Sequence, residues 1–528
     1  MSNHAYESAA ALRPSSNGPI PISTLCERFS LAPASAEDAA ALNDLSILGV
    51  SVDSADTVPG ELFVGLPGFT VHGARFAADA VASGAVAVLT DADGAQIVHQ
   101  TAPGTPTLVH SDPRAVVGPL SAEVYHHPAR GLVTTAVTGT NGKTTTAYFL
   151  DAILSAHVGG CMVAGTVELR VGERSVESPR TTVEAPVLQR MMALAVEDKV
   201  GAASLEASSH AIVLHRLDGI VVDVAGFTNL QRDHLDFHKT MEGYLEAKAQ
   251  LFTPEHARRG VVCVDDQWGA ALAAEAPIEI DRVRAYPGET PADWWVSDAA
   301  VSLTDSATTF TLHGPDGEKI EASCPLPGLV NVQNAALALV MAIRAGVPAA
   351  TAATALAGAH NIPGRMQRIS QRDGRRGLCI VDFAHTPDAM ELALKAVRPI
   401  TPGRLIVVFG SDGDRDQGKR PMLGEVCARL ADVLVVTDEN PRSEDPQLIR
   451  NAILEGVRGV RPDLTDVEEI TTWRGDAVRR GVELCGPDDT VIVTGKGHEP
   501  FLEMAGEFIR YNDAPVMAEA VEEKWGRA

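Results

Sequence analysis

The sequence predicts an α/β protein of three domains, and three observations carry that reading. The chain has 528 residues, more than one hydrophobic core can serve. Short β-branched runs alternate with helix-length segments along its length. The pattern restarts twice, after the polar "HHPARG" near residue 129 and again near residue 363. The expected domains are therefore residues 1–128, with a disordered N-terminus, 129–362 and 363–528.

In the first domain, "SILGVSVDSADTVPGELFVGL", "AVAVLTD" and "TPTLVHSD" read as strands, and "ARFAADAVASG" as a helix. The second opens on the strand "LVTTAVTG" and continues through "GAASLEASS", "VVDVAGFTN" and "GVVCVDD". A more β-like insertion, "VSDAAVSLTDSATTFTLHG", precedes the helix "NVQNAALALVMAIRAG". In the third domain, "GLCIVDFAH", "RLIVVFGSDG", "DVLVVTDEN" and "DTVIVTGKG" are continuous apolar runs, each separated by a helix-length segment. They predict parallel strands of a doubly wound, Rossmann-like sheet buried on both faces. Loops after such strands gather at one sheet edge, which brings Asp382 and His385, Asp414 and Arg415, Glu439 to Arg442, and Gly495 to Glu499 together.

A formal charge of −25 argues against general binding to nucleic acid or an anionic membrane, so any phosphate site has to be local. Seven scattered cysteines without a C-x-x-C pair read as reduced, mostly buried thiols. The N-terminal stretch lacks a basic start followed by an apolar run, and nothing later approaches the ~20 apolar residues of a membrane helix. The expected location is cytoplasmic.

"TTAVTGTNGKTTTAYFL" places the glycine-rich turn Gly139 to Gly142 between a strand and a helix starting near Lys143. Backbone N–H groups of such a turn and the helix N-terminus face phosphate oxygens. Lys143 neutralises phosphate charge, and Thr144 can offer its hydroxyl to Mg²⁺. The match to G-x-x-x-x-G-K-[ST] is incomplete, because Val137 stands at the first glycine. Glu206 ends the strand "SLE", from where a carboxylate can hold a metal or simply meet solvent. His234, Asp236 and His238 lie within five residues and read as ligands or as structural histidines, and Lys248 follows on a helix where the ordinary lysine is solvated.

"TDENPRSED" sets Arg442 among Asp438, Glu439, Glu444 and Asp445. Alone it reads either as a solvated turn or as a site for a ligand carrying an acid and an amine. A guanidinium fork matches a carboxylate, and the surrounding acids match a cation.

"TGTNGKTTT", "EASSH", "FTNLQRDHLDFH" with "EAKAQLF", "GLVNVQNAALAL", "GRMQR", "VDFAHTPDAM", "GDRDQGKRP", "DENPRSEDP" and "GKGHE" occur in the order seen in the Mur ligases. The resemblance runs from about residue 48 to 511. It implies an ATP-dependent amide ligase of peptidoglycan synthesis that adds meso-diaminopimelate to UDP-N-acetylmuramoyl-L-alanyl-D-glutamate, with Mg²⁺, one or two ions, as cofactor. A monomer is expected, with closure between domains. It also implies that the first domain binds the uridine nucleotide, the second ATP and the third the amino acid.

Residue by residue, the resemblance implies that Gly139, Thr140, Asn141, Gly142, Lys143, Thr144 and Thr145 bind ATP phosphates. It adds Asn229, Asn334, Arg365, Asp382 and His385 for the rest of the nucleotide. Thr144, Glu206, His234 and Lys248, the last as a carbamate (N6-carboxylysine), would serve the metal, and Lys143, Lys248 and His234 the chemistry. Val52, Ser54, Phe69, Thr70, Val71, Arg180, Thr181, Thr182, Ser208, Leu214 and Arg216 would hold the UDP-muramoyl-dipeptide. Arg415, Glu439, Asn440, Pro441, Arg442, Gly495 and Glu499 would hold diaminopimelate. Ala55, Arg180, Leu214, Gln367 and Glu439 depart from the residues usual at their positions. The alternatives are an L-lysine-adding ligase, a relative that lengthens another γ-glutamyl chain, a phosphate-loop ATPase or kinase with an amino-acid sensor, and a non-catalytic scaffold.

Overall fold

A computed structural model describes residues 11–302, 307–359 and 361–526. The expected disordered start falls mostly at 1–10, outside the described residues, as does part of the insertion, 303–306. Two compact units are present. The first runs to Trp295 and includes Gly314–Asp316 and Ala336–Ala355; the second holds Val296–His313, Gly317–Ala335 and the chain from Leu356 onward.

Beside the short antiparallel ladder Ile20–Pro21/Ser46–Ile47, the first unit contains two larger sheets. One has five strands in the order Ala32–Pro33, Thr107–Val109, Ala87–Thr90, Glu61–Val64 and Gly49–Ser51. The last four pair in parallel, and Glu61–Val64 and Ala87–Thr90 are buried throughout, as their unbroken apolar character requires. The other begins at Val133, so residue 129 lies between the sheets. Its parallel strands run Cys161–Ala164, Ala202–Glu206, Val133–Thr138, Val222–Phe227, Ala257–Cys263 and Glu279–Arg284, with the antiparallel hairpin Glu168–Val171/Arg174–Glu177 at one edge. Because Val133–Thr138 pairs with both Ala202–Glu206 and Val222–Phe227, the glycine turn, Glu206 and Asn229 emerge side by side at one sheet edge.

A buried ion cluster joins the two sheets. Arg190 on the helix Ala185–Glu197 donates to Asp56 Oδ1 at 3.1 Å, and Arg13 reaches the same oxygen at 3.1 Å as well as Glu61. Burial pushes the Glu61 carboxyl up, despite Arg13. Arg190 is fully buried, so its charge is tolerable only through this pairing.

The main sheet of the second unit has the order Gln367–Ser370, Leu378–Val381, Thr490–Val493, Leu405–Phe409, Val433–Val436 and Val467–Glu469. The four expected strands are parallel and fully buried. The two edge strands, antiparallel Gln367–Ser370 and parallel Val467–Glu469, were not expected, because "QRIS" and "VEE" are short and polar. Thr490–Val493 sits between Leu378–Val381 and Leu405–Phe409, which centres the "GKGHE" loop among the others. Arg474, fully buried, grips Asp513 with two bonds of 2.8 Å and donates to Asp438 O at 2.9 Å and Thr494 O at 2.8 Å. It thereby ties together two of the loops that follow strands.

All seven cysteines are free and six are buried. No described helix is long and apolar enough to cross a membrane.

Candidate functional site

The glycine turn is shaped by its neighbours. Gly139 has φ 142° and a side chain there would lie 1.9 Å from Thr228 Oγ1, while Gly142, at φ 90°, leads into the helix Lys143–Val158. The Asn229 carbonyl accepts from Thr140 N at 2.9 Å, Asn229 Oδ1 from Asn141 N at 3.1 Å, and the Asn141 amide reaches Gln231 Oε1 at 2.7 Å. Asn229 therefore braces the loop. Thr145 is buried behind it. Lys143 Nζ lies across the loop, 3.0 Å from Gly139 O and 2.8 Å from Thr140 O.

Glu206 is 1 % exposed, which excludes a solvated strand-end acid. Its carboxylate accepts from Thr144 Oγ1 at 3.0 Å, Thr166 N at 2.8 Å and Thr166 Oγ1 at 2.9 Å. Two buried hard-oxygen donors, Thr144 and Glu206, beside a phosphate loop fit Mg²⁺. Among the described residues no three His, Cys, Asp or Glu side chains form a ready metal set, so these two donors need oxygens from elsewhere.

Lys248 is not solvated either. It is 1 % exposed on the helix Met241–Ala249, donates to Gly139 O at 2.7 Å, and lies 4.5 Å from the Tyr244 ring centroid. Burial, with the nearby Lys143 charge, holds its amine well below the usual lysine range. Around it stand three imidazoles. His234, in the left-handed conformation, caps one turn of helix, Leu235–His238, which carries Asp236 and His238 where a loop is expected for all three. His238 stacks on Tyr244 at 4.9 Å and contacts Ser209 Oγ at 2.8 Å. His210, missed in the sequence because it stands alone in "EASSH", lies 4.9 Å from the His234 ring and 5.4 Å from that of His238. Burial first, then the neighbouring cations, pushes all three down, His238 to about 4. The cationic form is thus disfavoured at each of these groups.

Thr181 and Thr182 connect this edge to a cavity. Thr181 meets Thr166 Oγ1 at 3.1 Å, and Thr182 donates to Glu206 O at 2.7 Å and accepts from Ser208 N at 3.0 Å. Ser208 caps the helix Ser209–Val213, which Leu214 ends. Arg216 donates to Thr182 O at 3.1 Å and shares Glu184 with Arg180. The cavity, of about 210 Å³, is lined by Val52, Asp53, Arg114, Arg180 and Glu184 among others. Burial, with Arg180 and Arg114 nearby, pulls Arg216 below its ordinary value even beside Glu184. Arg114 was missed; it donates to Pro67 O at 3.2 Å at the base of the exposed Phe69–Val71 loop. Ser54 is half-buried and Ala55 exposed.

In the second unit, Asn334 has a buried Oδ1 with no hydrogen-bond partner among the described residues. Arg365 covers the Phe383 ring at 4.4 Å, and Asp382 accepts from Met366 N at 2.7 Å and Ala384 N at 2.9 Å. Burial raises the Asp382 carboxyl. His385 Nδ1 lies 2.9 Å from Phe383 O. Gln367 supplies an acceptor to Gly364 N at 2.9 Å, so the departure keeps an oxygen at that place.

The remaining loops meet as expected at the same edge of that sheet. Asn440 Nδ2 donates to Asp412 Oδ1 and Glu499 Oε2, both at 3.1 Å, and its Oδ1 accepts from Lys496 Nζ at 2.9 Å. Lys496, fully buried, also holds Glu499 at 2.9 Å; burial raises that carboxyl, but Lys496 and the bond from Asn440 bring it below its ordinary value. Glu439 is buried under Gly495, where an added side chain would lie 2.5 Å from Glu439 Oε2. Burial and then Asp412 push Glu439 up to about 8. Pro441 packs over Gly413. Arg442, at φ 56°, donates to Glu503 Oε2 at 2.7 Å and lies 3.9 Å from Asp412. Arg415 is exposed. Arg420 binds both oxygens of Glu444, at 2.9 and 2.8 Å, and those bonds lower its carboxyl to about 2. Asp445 caps the helix Pro446–Val460. Lys496 and Asp412 were missed because neither breaks its motif's pattern.

Family models match along the chain: "Mur ligase family, catalytic domain" over residues 46–123, "Mur ligase middle domain" over 137–342 and "Mur ligase, glutamate ligase domain" over 364–497. The chain is 43% identical, over 91% of its length and 93% of the relative's, to the UDP-N-acetylmuramoyl-L-alanyl-D-glutamate–2,6-diaminopimelate ligase of Streptomyces coelicolor. It is 42% identical, over 95% of its length and 96% of the relative's, to the UDP-N-acetylmuramyl-tripeptide synthetase of Leifsonia xyli. A solved UDP-N-acetylmuramoyl-L-alanyl-D-glutamate–2,6-diaminopimelate ligase superposes with a TM-score of 0.64 at 31% identity, over 91% of this chain and 96% of that one.

Proposed function

The chain belongs to the Mur ligase family, and from that premise we propose that it joins meso-diaminopimelate to the D-glutamate of UDP-N-acetylmuramoyl-L-alanyl-D-glutamate at the expense of ATP. The observation that carries the choice of amino acid is Arg442, held with Asn440 and Glu499 at one sheet edge. A guanidinium matches the distal carboxylate that diaminopimelate has and lysine lacks, and Asn440 and Glu499 offer oxygens to the distal ammonium. Domain boundaries near 129 and 363 are part of the reading, supported by the gaps between the matched family models.

A carboxylate is a poor electrophile, so the D-glutamate oxygen first takes the γ-phosphoryl of ATP, and the amine then attacks the acyl phosphate and releases phosphate. Lys143 and the loop amides hold the transferring phosphoryl group and spread its charge. Thr144 and Glu206, with His234 and a carbamate on Lys248, would hold Mg²⁺, which would supply positive charge between two anionic reactants. A neutral amine is the form that adds CO₂, and burial beside Lys143 moves Lys248 toward that form. Arg114 and Arg180, which line the cavity, and Arg216, close to both, supply the positive charge that the anionic nucleotide-sugar needs. Seven free cysteines support a reducing, cytoplasmic setting.

The test is phosphate release by the purified protein with ATP, Mg²⁺ and the UDP-muramoyl-dipeptide, with meso-diaminopimelate or L-lysine as amine. Turnover should need all components and be faster with diaminopimelate. Faster turnover with lysine would remove the specificity, and no product with either would remove the function.

Lys248→Met is expected to lower turnover by at least about 10²-fold. It should also abolish a ¹³C carbamate resonance in protein equilibrated with labelled bicarbonate. Because the folded pKa of Lys248 lies below its unfolded value, unfolding takes up a proton, and its contribution to stability worsens as pH falls from the unfolded value of 10.5 toward the folded one. The Tm of Lys248→Met should therefore equal or exceed that of the parent at pH 7. A large drop would show that the amine stabilises the fold instead.

A further inference from the structure

Arg442 already has a carboxylate partner inside the chain. The hairpin Phe501–Met504/Glu507–Arg510 runs beside it: Arg442 N donates to Glu503 O at 3.0 Å, and Ala505 N donates to Arg442 O at 2.7 Å. Glu503 N is in turn fixed by Asn440 Oδ1 at 3.2 Å. Backbone pairing thus delivers the Glu503 carboxylate to the guanidinium, 2.7 Å from Nη1, with both side chains about a quarter exposed. Meanwhile Arg442 Nε is buried with no partner among the described residues, so the fork keeps a donor that Glu503 does not use.

We propose that Glu503 tunes substrate specificity: it is an internal carboxylate that occupies Arg442 until the distal carboxylate of the amino-acid substrate displaces it. The proposal rests on the reading that Arg442 receives that carboxylate. Two carboxylates cannot share the fork without repulsion, and Asp412, 3.9 Å from Nη2, adds to it. A dicarboxylic amino acid therefore binds more weakly than Arg442 alone would allow. A diamine with one carboxylate, such as L-lysine, leaves the Arg442–Glu503 pair intact and strands no charge. Both effects narrow the gap between the two substrates. Glu503 is a positioning residue in this scheme, acting through Arg442.

Glu503→Gln keeps the size and the backbone bonds and removes the charge. It should lower KM for meso-diaminopimelate by about three- to tenfold, the scale of a partly exposed ion pair. The kcat, the KM for ATP and the Tm should stay unchanged. Discrimination against L-lysine should rise by at least the same factor. In an Arg442→Ala background the substitution should do nothing. A raised KM for diaminopimelate would make Glu503 a substrate ligand, and an unchanged KM a surface pair; either result overturns the proposal, as does an effect that survives in Arg442→Ala. An unchanged KM in Arg442→Ala alone would remove the parent reading as well. Glu503→Ala should repeat the fall in KM, separating lost charge from any new contact made by glutamine.

Discussion

Lys143→Ala is expected to reduce ATP-dependent phosphate release by about 10³-fold, the scale of losing a preorganised group that faces charge developing in the transition state. The ammonium spans the glycine turn from two carbonyls, 3.0 and 2.8 Å away. Gly139 O keeps its bond from Lys248 Nζ and the half-buried Thr140 can turn its carbonyl to water, so the fold should lose no more than about 1 kcal/mol. A small change in Tm with a large loss of turnover is therefore the signature. Lys143 is also the second cause, after burial, of the depressed Lys248 amine. Removing it should let that amine rise, which disfavours the carbamate and deepens the loss. Residual activity above about a tenth of the parent would show that the loop amides and the helix N-terminus hold the phosphates without the lysine.

Arg442→Ala is expected to raise KM for meso-diaminopimelate by about 30- to 100-fold, from the loss of charge-assisted hydrogen bonds worth about 2–3 kcal/mol. The KM for ATP should be unchanged, because the effect is confined to one carboxylate. Arg442→Lys should recover only part of the loss, since an ammonium lacks the planar fork. Weak turnover with L-lysine should be untouched. Steady-state kinetics with each substrate varied in turn separates these outcomes. A parallel rise in KM for ATP would point to a disturbed fold, because Arg442 N and O also anchor the hairpin at Glu503 and Ala505.

Much of this was legible in the sequence. Four unbroken apolar runs could only be strands buried on both faces, and that fixed where Asp382, Glu439 to Arg442 and Glu499 would emerge. The glycine turn needed only its strand–turn–helix setting. Partnerships were not legible, because they depend on distant residues meeting. Nothing in "GKGHE" says that Lys496 is fully buried between Asn440 and Glu499, and nothing near "EASSH" says that His210 joins His234 and His238. Short polar edge strands such as Val467–Glu469 carry too little pattern to be seen. Burial was the other gap. Lys248 and Glu206 look like surface charges in one dimension, and only the third shows that both are enclosed.

Arg474 has one more consequence. A single guanidinium clamps the carbonyls of Asp438 and Thr494 to Asp513, so the backbones of two loops of the proposed amino-acid site are set by one rigid part. Grafting loops of another length from a relative with a different amino-acid preference would break that clamp before it changed the preference. Redesign of this enzyme for another amine has to proceed by exchanging side chains on a fixed frame, at positions such as 439, 442 and 503.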